Sequence, residues 1–297
     1  MTTDLAIQTQ SLVKNYGAVK ALRGVDLEVR KGEIFGFLGP NGAGKTTAIR
    51  CMLDLIRPNG GRLRVLGLDP QKEAVAVRAR SGYLPGELNL EGNLNVESAL
   101  RLFARLRGNK IDWGFVRQLA ERLNLDLKPQ IKNLSKGNKQ KVGVVQALMH
   151  RPELLLLDEP TASLDPLMQQ TVLRLIREAR EEGATVFFSS HILSEVHEIA
   201  ERVGIIRQGV VVEVAETSAL INRSLRRVRV RFRQPVDSEA LTRLPGVSLL
   251  SKDDGAALTL QVEGEMDALI KALAAFPVID LSTEQHSLEE IFLTYYQ

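Results

Sequence analysis

Residues 39–46, GPNGAGKT, carry the combination of glycines, a lysine and a threonine that binds phosphate groups. They match G-x-x-x-x-G-K-[ST] and stand between a buried strand and a helix, which is the context that this pattern requires. Glycines let backbone N–H groups turn inward around phosphate oxygens, and the helix start adds its dipole. Lys45 is expected to reach the β- and γ-phosphates, and the Thr46 hydroxyl suits Mg²⁺. The full pattern argues against a glycine turn that only joins two elements.

A pair of carboxylates follows another buried strand, in LLLLDEP (154–160). The strand delivers Asp158 at its carboxyl end, where open α/β sheets bind ligands, and an aspartate there suits Mg²⁺ through water. Glu159 could act as general base on an attacking water, a contribution of roughly 10²–10⁴ in rate. Alternatively, both carboxylates cap the next helix, which is a better explanation for either one alone than for the pair.

The chain is therefore predicted to bind a nucleoside triphosphate. The predicted contacts in the phosphate loop are Gly39, Pro40, Asn41, Gly42, Ala43, Gly44, Lys45, Thr46 and Thr47. A GTPase would need a guanine-reading N-K-x-D, and NKQK (138–141) lacks the acid. A kinase would need an acceptor site, which no motif indicates.

A second helix start, in LSKGNKQK (134–141), has the wrong charge for its position. Helix N-termini carry unpaired N–H donors and a partial positive charge, so they usually attract Asp or Glu. This one has no carboxylate and is surrounded by Lys132, Lys136, Lys139 and Lys141. Either an anion arrives from elsewhere, or the lysines are solvated surface.

The elements that must position these residues have two kinds of pattern. Alternating apolar positions before residue 30 predict antiparallel strands with one solvated face. The almost wholly apolar runs IFGFL (34–38), LLLL (154–157) and TVFF (185–188) predict strands buried on both faces. An amphipathic helix is predicted over 164–182, and buried strands alternating with helices indicate a parallel α/β sheet.

Two further regions differ from this α/β pattern. Residues from about 88 to 150 read as a helical insertion. After about residue 222, a strand–helix–strand–strand–helix–strand order predicts a small α+β domain of ferredoxin-like type, followed by a last helix over 288–296. The expected domains are thus 1–222 and 223–297.

Composition limits the class of protein. The chain has 297 residues, 44% hydrophobic and 25% charged, with a net charge of +3, which is too small to argue for nucleic acid. A single cysteine, Cys51, fits a reducing compartment. The first ten residues show no signal-peptide pattern, and no apolar run reaches the roughly 18 residues of a membrane span. We expect a cytoplasmic protein whose membrane role would need a partner.

Taken in order, these motifs resemble those of the ATP-binding subunits of ABC transporters, over about residues 5–222. LSKGNKQK resembles the family's signature, with Ser135, Gly137 and Gln140 in the expected places. SLDP (163–166) looks like the loop after the second carboxylate, and SSH (189–191) looks like the switch that ends in a histidine. Tyr16 in VKNYG matches the aromatic residue that stacks on adenine, although a lone tyrosine is more often packed.

The resemblance implies a P-loop NTPase that hydrolyses ATP with Mg²⁺ in a head-to-tail dimer. Tyr16 and the phosphate loop would bind ATP, and Thr46 and Asp158 would hold Mg²⁺. Glu159, Lys45 and His191 would be catalytic. In-trans contacts to the partner's nucleotide would come from Ser135, Gly137, Gln140 and Asp165. Two copies, or one copy and a similar cassette, would dock on the cytoplasmic face of a separate integral-membrane permease, and no nucleic acid is expected.

One departure from the family pattern concerns the second Mg²⁺ contact. The family usually has a Gln at the end of the strand after the first helix, where this chain reads GYLPGELNL (82–90). Gly86 takes that position, and Glu87 is either a replacement ligand or a surface acid. This change, the signature wording and the C-terminal addition resemble the exporter-type branch whose permease is a separate chain.

Two functions remain open on the sequence. The first is a transport ATPase that powers export through a separate permease, with specificity for the cargo in that permease. The second is a soluble ABC-type ATPase acting on ribosomes or nucleic acid; a single cassette without sustained heptads favours transport. The arginines of RRVRVRF (226–232) are interpreted as a solvated strand face in preference to a lipid or nucleic-acid contact.

Overall fold

The structure is a computed structural model that describes residues 4–88, 92–108, 111–222, 226–253 and 256–285. Backbone contacts divide the chain into two units, Met1–Ala215 and Glu216–Gln297. The predicted helix over 288–296 lies outside the described residues. None of the described helices combines the length and apolar character that a bilayer-spanning segment requires.

The strands up to residue 216 form two sheets. They are β1 (Leu5–Tyr16), β2 (Val19–Arg30), β3 (Ile34–Leu38), β4 (Gly60–Val65), β5 (Ser81–Leu84), β6 (Leu154–Asp158), β7 (Thr185–Ser190), β8 (Arg202–Arg207) and β9 (Val210–Glu216). One sheet has the antiparallel order β2-β1-β4, as the alternating N-terminal pattern predicts. The other has the order β5-β6-β7-β3-β8-β9, and its first five strands run parallel.

The parallel sheet is buried on both faces, which explains its uniformly apolar strand sequences. Every residue of β3, β6 and β7 is buried. Phe35 of β3 and Phe187 of β7 stack with ring centroids 5.8 Å apart, and Phe37 packs against the same ring. A strand without a solvated face needs no polar alternation, so the α/β prediction is confirmed.

Helices of the N-terminal unit accompany this sheet and fill the segment between β5 and β6. They are α1 (Lys45–Met52), α2 (Pro70–Arg80), α3 (Val96–Leu106), α4 (Trp113–Arg122), α5 (Lys136–Leu148), α6 (Pro166–Glu181) and α7 (Leu193–Ile199). Helix α8 (Thr217–Asn222) is the first element of the C-terminal unit. Between β5 and β6 the described residues form α3, α4, a short 3-10 turn and α5, as the helical insertion requires. Helix α6 begins two residues later than predicted, because Asp165 caps it and Pro166 is its first residue.

The C-terminal unit has the predicted ferredoxin-like order. Its elements are β10 (Arg226–Phe232), α9 (Glu239–Thr242), β11 (Val247–Asp253), β12 (Ala257–Val262), α10 (Asp267–Leu273) and β13 (Val278–Gln285). The strands pair antiparallel in the order β11-β12-β10-β13. Val228, Val230 and Phe232 of β10 are buried in this unit's core. The alternating arginines face away from it, and Arg229 and Arg231 lie 3.6 and 3.9 Å from Asp253 and Asp280.

Candidate active site

The candidate site lies where four parallel strands end. The chain leaves β3 into the phosphate loop, β5 toward Gly86, β6 at Asp158 and β7 toward His191. Because β5, β6, β7 and β3 are neighbours and run parallel, their carboxyl ends share one edge of the sheet. This edge is where open α/β sheets bind ligands.

A cavity of about 650 Å³ opens at this edge. Its size is that of a small-molecule or nucleotide site. The lining residues come from the stretch after β1, the phosphate loop, the segment after β5 and the end of β6: Ala18, Val19, Lys20, Ala21, Arg23, Pro40, Asn41, Gly42, Gly44, Lys45, Thr46, Thr47, Arg50, Gly86, Glu87, Asp158, Glu159 and Gln208. The cavity thus brings together most of the phosphate loop with the two predicted carboxylates.

The phosphate loop leaves the start of α1 open toward this cavity. Gly44 precedes the helix with φ 113°, and no side chain caps α1. A Cβ on Gly44 would come 2.7 Å from the Ala21 carbonyl oxygen, and one on Gly39 would come 2.5 Å from the Ile206 carbonyl oxygen. Gly44 is therefore required for both conformation and space, and Gly39 is required for space. The first-turn N–H groups remain available for an anion.

Lys45 is buried beneath this loop, with 5% of its surface exposed. Its Nζ donates to the carbonyl oxygens of Gly39 at 2.5 Å and Pro40 at 3.3 Å. The same Nζ lies 3.2 Å from Glu159 Oε1. A buried ammonium group needs such partners, and a bound phosphate would offer it a stronger one.

Thr46 and Asp158, the two predicted Mg²⁺ contacts, lie next to each other. The Thr46 hydroxyl donates to Asp158 Oδ2 at 2.6 Å, and the Ser189 hydroxyl donates to Asp158 Oδ1. Hard oxygen ligands from one carboxylate and one hydroxyl suit Mg²⁺, which usually takes its remaining ligands from water and phosphate. No group of three or more His, Cys, Asp or Glu side chains within the described residues could hold a metal by itself. The residues therefore fit a cation that arrives with a nucleotide.

Glu159 has a strained backbone that several hydrogen bonds hold in place. Its φ of 51° lies in the left-handed region, which is unfavourable for glutamate. Its N–H donates to the Ser189 carbonyl at 3.1 Å. Its carbonyl accepts from the Gln140 amide at 3.1 Å. The surrounding structure thus fixes the backbone position and direction from which the Glu159 side chain extends.

The Glu159 carboxylate has one occupied and one available oxygen. Oε2 lies 2.7 Å from His191 Nδ1. Oε1 accepts no hydrogen bond from the described residues, although Lys45 lies close to it. An oriented carboxylate with a free lone pair, lining the cavity, has the geometry of a general base for a water molecule.

The residues predicted to act in trans lie away from this cavity. Ser135 is exposed at the start of α5, where its hydroxyl accepts from the Asn138 N–H at 3.2 Å. Asp165 is exposed and caps α6 in the same way, at 3.0 Å from the Met168 nitrogen. A Cβ on Gly137 would come 2.7 Å from the Ser163 carbonyl oxygen, so this glycine lets α5 approach the loop after β6.

Gln140 faces its own chain. Its side chain is 5% exposed, and its amide nitrogen donates to the carbonyl oxygens of Glu159 and Pro160, both at 3.1 Å. A contact from Gln140 to a partner's nucleotide would require this helix start to open. In the described structure Gln140 joins α5 to the loop that carries Glu159, the predicted general base.

Tyr16, Gly86 and Glu87 surround the cavity in different ways. Tyr16 is 45% exposed at the end of β1, outside the cavity lining, with the Lys14 ammonium 5.2 Å from its ring centroid. A Cβ on Gly86 would come 3.0 Å from Asp158 Oδ2, so the glycine leaves room beside this carboxylate. Glu87 lines the same cavity and is exposed.

Two ionisable groups near the site are held in their neutral form. Burial raises the pKa of Tyr83, and the Asp158 charge raises it further. Burial raises the pKa of the Cys51 thiol in α1 to about 11, with a smaller opposing effect of Lys14. Neither group is expected to ionise near neutral pH.

Sequence reasoning assigned no individual role to Ser189, Thr161 or Glu195, all of which are buried polar residues beside the site. Ser189 belongs to the SSH motif, so the motif was a usable signal. Glu195 lies in α7 beside the apolar positions Leu193 and Val196, and no pattern marks it. Its role depends on contacts between distant segments, which sequence spacing does not reveal.

Comparisons with known proteins agree with this geometry. A family model described as ABC transporter matches residues 22–162. A bacitracin transport ATP-binding protein, BcrA of Bacillus licheniformis, is 39% identical over 214 residues, or 70% of this chain and 68% of the relative. A daunorubicin resistance ATP-binding protein, DrrA3 of Streptomyces coeruleorubidus, is 33% identical over 98% of this chain and 95% of its own.

Solved structures give the same fold. An ATP-binding subunit of an ABC transporter is 28% identical with a TM-score of 0.66, covering 72% of this chain and 91% of that one. A dimeric ATP-binding cassette in a post-hydrolysis state bound to ADP and Pi has a TM-score of 0.65 at 22% identity. This likeness covers 71% of the present chain and 98% of the cassette chain. The second likeness concerns the fold alone.

Proposed function

This chain belongs to the ABC transporter family as an ATP-binding subunit that hydrolyses ATP, and on that premise we propose that it works as a head-to-tail dimer. Two copies, or one copy and a similar cassette, would enclose two ATP molecules. Each nucleotide would lie between the phosphate loop of one subunit and the start of α5 in the other.

One observation supports this arrangement above the others. The start of α5 is exposed and has no acidic residue in its first turn, so its first turn supplies no negative charge to its dipole. The Ser135 hydroxyl uses a lone pair as cap and keeps its proton free to donate. An incoming γ-phosphate would interact favourably with the positive end of the α5 dipole and would accept a hydrogen bond from the Ser135 hydroxyl.

The proposed chemistry uses residues that line the cavity, together with His191 and Tyr16 from outside its lining. ATP supplies the γ-phosphoryl group, and Mg²⁺ bound by Thr46 and Asp158 would neutralise charge on its oxygens. Glu159 Oε1 accepts the proton of the attacking water. His191 would orient the Glu159 carboxylate through Nδ1 and contact the γ-phosphate, while Lys45 would move from its loop carbonyls to the phosphates. Tyr16 contributes a face for the adenine.

We further propose that the hydrolysis powers transport, and export in particular, through a separate membrane permease. The similar proteins are named for bacitracin transport and daunorubicin resistance, and one of them matches almost the full length of this chain. The subunit would then work on the cytoplasmic face of the membrane.

The dimer is tested with a variant that binds ATP but hydrolyses it slowly. Glu159→Gln with ATP and Mg²⁺ is expected to form dimers in size-exclusion chromatography with light scattering, because the glutamine cannot take the proton. Its turnover should fall by about 10²–10⁴. Adding Ser135→Arg to the same chain should return it to a monomer that still binds ATP. Near-normal turnover in Glu159→Gln would contradict the general-base role, and a dimer in the double variant would contradict the in-trans site.

The transport role is tested by what the wild-type chain binds in cells. Solubilised in mild detergent, it should co-purify with an integral-membrane protein that stimulates its ATPase activity. Co-purification with ribosomes or nucleic acid, without a membrane protein, would favour the soluble ATPase instead.

A further inference from the structure

Glu195 is a buried carboxylate beside the proposed catalytic residues. Its residue surface is 5% exposed, and it lies in the short helix α7. Burying a carboxylate is unfavourable unless hydrogen-bond donors replace water. Here the Thr161 hydroxyl donates to Oε1, and the Ser190 hydroxyl donates to Oε2 at 2.6 Å. Both carboxylate oxygens are thus satisfied by its own chain.

These two donors belong to the two loops that carry the catalytic groups. Thr161 follows Glu159 by two residues, in the loop after β6. Ser190 is the last residue of β7 and directly precedes His191. Glu195 therefore bridges the loop of the proposed base and the loop of the proposed switch, which are far apart in sequence.

The contact at Ser190 also controls the turn around His191. Ser190 Oγ accepts from the Ile192 N–H at 2.9 Å, which closes a tight turn with His191 at its centre. A serine hydroxyl has one proton, and Ser190 donates it in the hydrogen bond to Glu195. A lone pair of the Ser190 oxygen then remains to accept from the Ile192 N–H. Glu195 therefore fixes the orientation of the Ser190 hydroxyl, and this hydroxyl closes the turn.

The result of this turn is the short contact between His191 and Glu159. His191 is half exposed, and its Nδ1 lies 2.7 Å from Glu159 Oε2. A half-exposed imidazole is held less by packing than a buried one, so its position depends strongly on its backbone. The backbone on one side of this pair is held through Ser190, and the loop on the other side through Thr161.

We propose that Glu195 is a positioning residue for ATP hydrolysis, which aligns His191 with Glu159 by bridging Ser190 and Thr161. The proposal rests on the roles proposed above for Glu159 and His191. Glu195 is buried, and its two carboxylate oxygens are bonded to Thr161 and Ser190, so it acts through these neighbours. A purely structural role would instead hold α7 against the sheet without regard to His191.

The test compares Glu195→Gln with Glu198→Gln, a change on the same helix. Glu198 is about 40% exposed and pairs at the surface with Arg177, so it serves as the control. Glu195→Gln places an amide where both neighbours donate. We expect kcat to fall by about 10- to 100-fold, the scale of a small misplacement of a catalytic group, with KM and ATP affinity unchanged. Glu198→Gln should keep wild-type turnover.

A double-mutant cycle with His191→Ala separates positioning from stability. If Glu195 acts through His191, Glu195→Gln should cause no further loss of kcat in the His191→Ala background. Additive losses, or wild-type kcat in Glu195→Gln alone, would overturn the proposal. If Glu195→Gln does not fold, Ser190→Ala and Thr161→Val each remove one donor and enter the same cycle with the same criterion.

The failure of the underlying roles looks different. Wild-type turnover in His191→Ala would contradict the role of His191 and, with it, the reason for the bridge. Loss of turnover in His191→Ala together with additive loss in Glu195→Gln would leave the role of His191 intact and contradict the bridge alone.

Discussion

Helices α1 and α5 both start without an acidic residue in the first turn, but their surroundings differ. Helix α1 has no side-chain cap and opens into a cavity that is also lined by three carboxylates and a buried lysine. Helix α5 is capped by Ser135 and opens to the surface. Both helix starts thus offer backbone N–H donors to an anion. At α1 the same chain supplies the rest of a binding site, whereas at α5 it does not.

The lysines at the two helix starts differ in the same way. Lys45 is buried, with two carbonyl acceptors and a carboxylate close to its Nζ. Lys136 is exposed at the start of α5. An exposed charge is worth under about 1 kcal/mol, so Lys136 can steer an anion but does not build a site. The comparison predicts that a change of Lys45 weakens ATP binding at α1. It also predicts that a change of Ser135 weakens the contact between α5 and a partner's nucleotide.

The largest effect is expected from Lys45→Ala. The ammonium group would no longer bind the phosphates, and hydrogen bonds to charged groups contribute roughly 1.5–3 kcal/mol each. ATP affinity of the isolated chain should therefore fall by about 10- to 150-fold in titration calorimetry. Lys136→Ala is the matched control and should bind ATP as the wild type does. Equal losses in both variants would remove the distinction between the two helix starts.

A more selective effect is expected from Ser135→Asp. Aspartate caps a helix as well as serine, so stability should not change. Its charge would oppose a partner's γ-phosphate, and like charges at an interface cost several kcal/mol, which is on the order of 100-fold in dimerisation. Turnover should fall while ATP binding by the monomer persists.

The control for this charge effect is Ser135→Asn, which caps equally without a charge. It should retain more ATP-dependent dimer in light scattering than Ser135→Asp does. If the two variants form the same amount of dimer, repulsion between a charge at the start of α5 and the partner's nucleotide does not control dimerisation.

Ser135→Ala should separate the cap from the proposed phosphate contact. Loss of the Asn138 hydrogen bond is expected to lower the free energy of unfolding by about 1 kcal/mol in urea titration. Asn95→Ala at the start of α3, where Asn95 Oδ1 accepts from the Ser98 N–H at 2.8 Å, should cost a similar amount and spare turnover. A turnover loss that is the same in both variants would trace the effect to stability alone.

The smallest effect on turnover is expected at the far end of α5. His150 follows this helix, and burial, together with the charge of Arg107, lowers its pKa to about 4. The unfolded chain therefore binds a proton between about pH 6.5 and 4 that the folded chain does not, so stability falls as pH drops through this window. His150→Gln should flatten this part of the stability curve in urea titrations at several pH values and leave turnover at pH 7 unchanged. A steep wild-type slope that persists in His150→Gln would assign the acid sensitivity to other groups.

The sequence predicted the parts of the molecule that depend on local pattern. The phosphate loop, the buried strands and the ferredoxin-like order all follow from spacing and period, and the structure has each of them. The helix after Ser135 begins at Lys136, as the capping serine predicts.

Contacts between distant segments were beyond the reach of such patterns. Gln140 was predicted to face a partner's nucleotide, yet its amide binds the Glu159 and Pro160 carbonyls across nineteen or twenty residues. The bridge at Glu195 joins loops that follow two different strands. Periodicity can say that a residue lies on a helix face, but the partner on that face is decided by tertiary packing.

The buried thiol of Cys51 has a practical consequence for spectroscopy. It is the only cysteine of the chain, and a pKa of about 11 leaves almost no thiolate at neutral pH to react with a label. A new cysteine on the exposed start of α5 could therefore carry a fluorophore or spin label against a silent background. Distances between two such labels would follow the approach and separation of subunits in real time, without first removing a native residue.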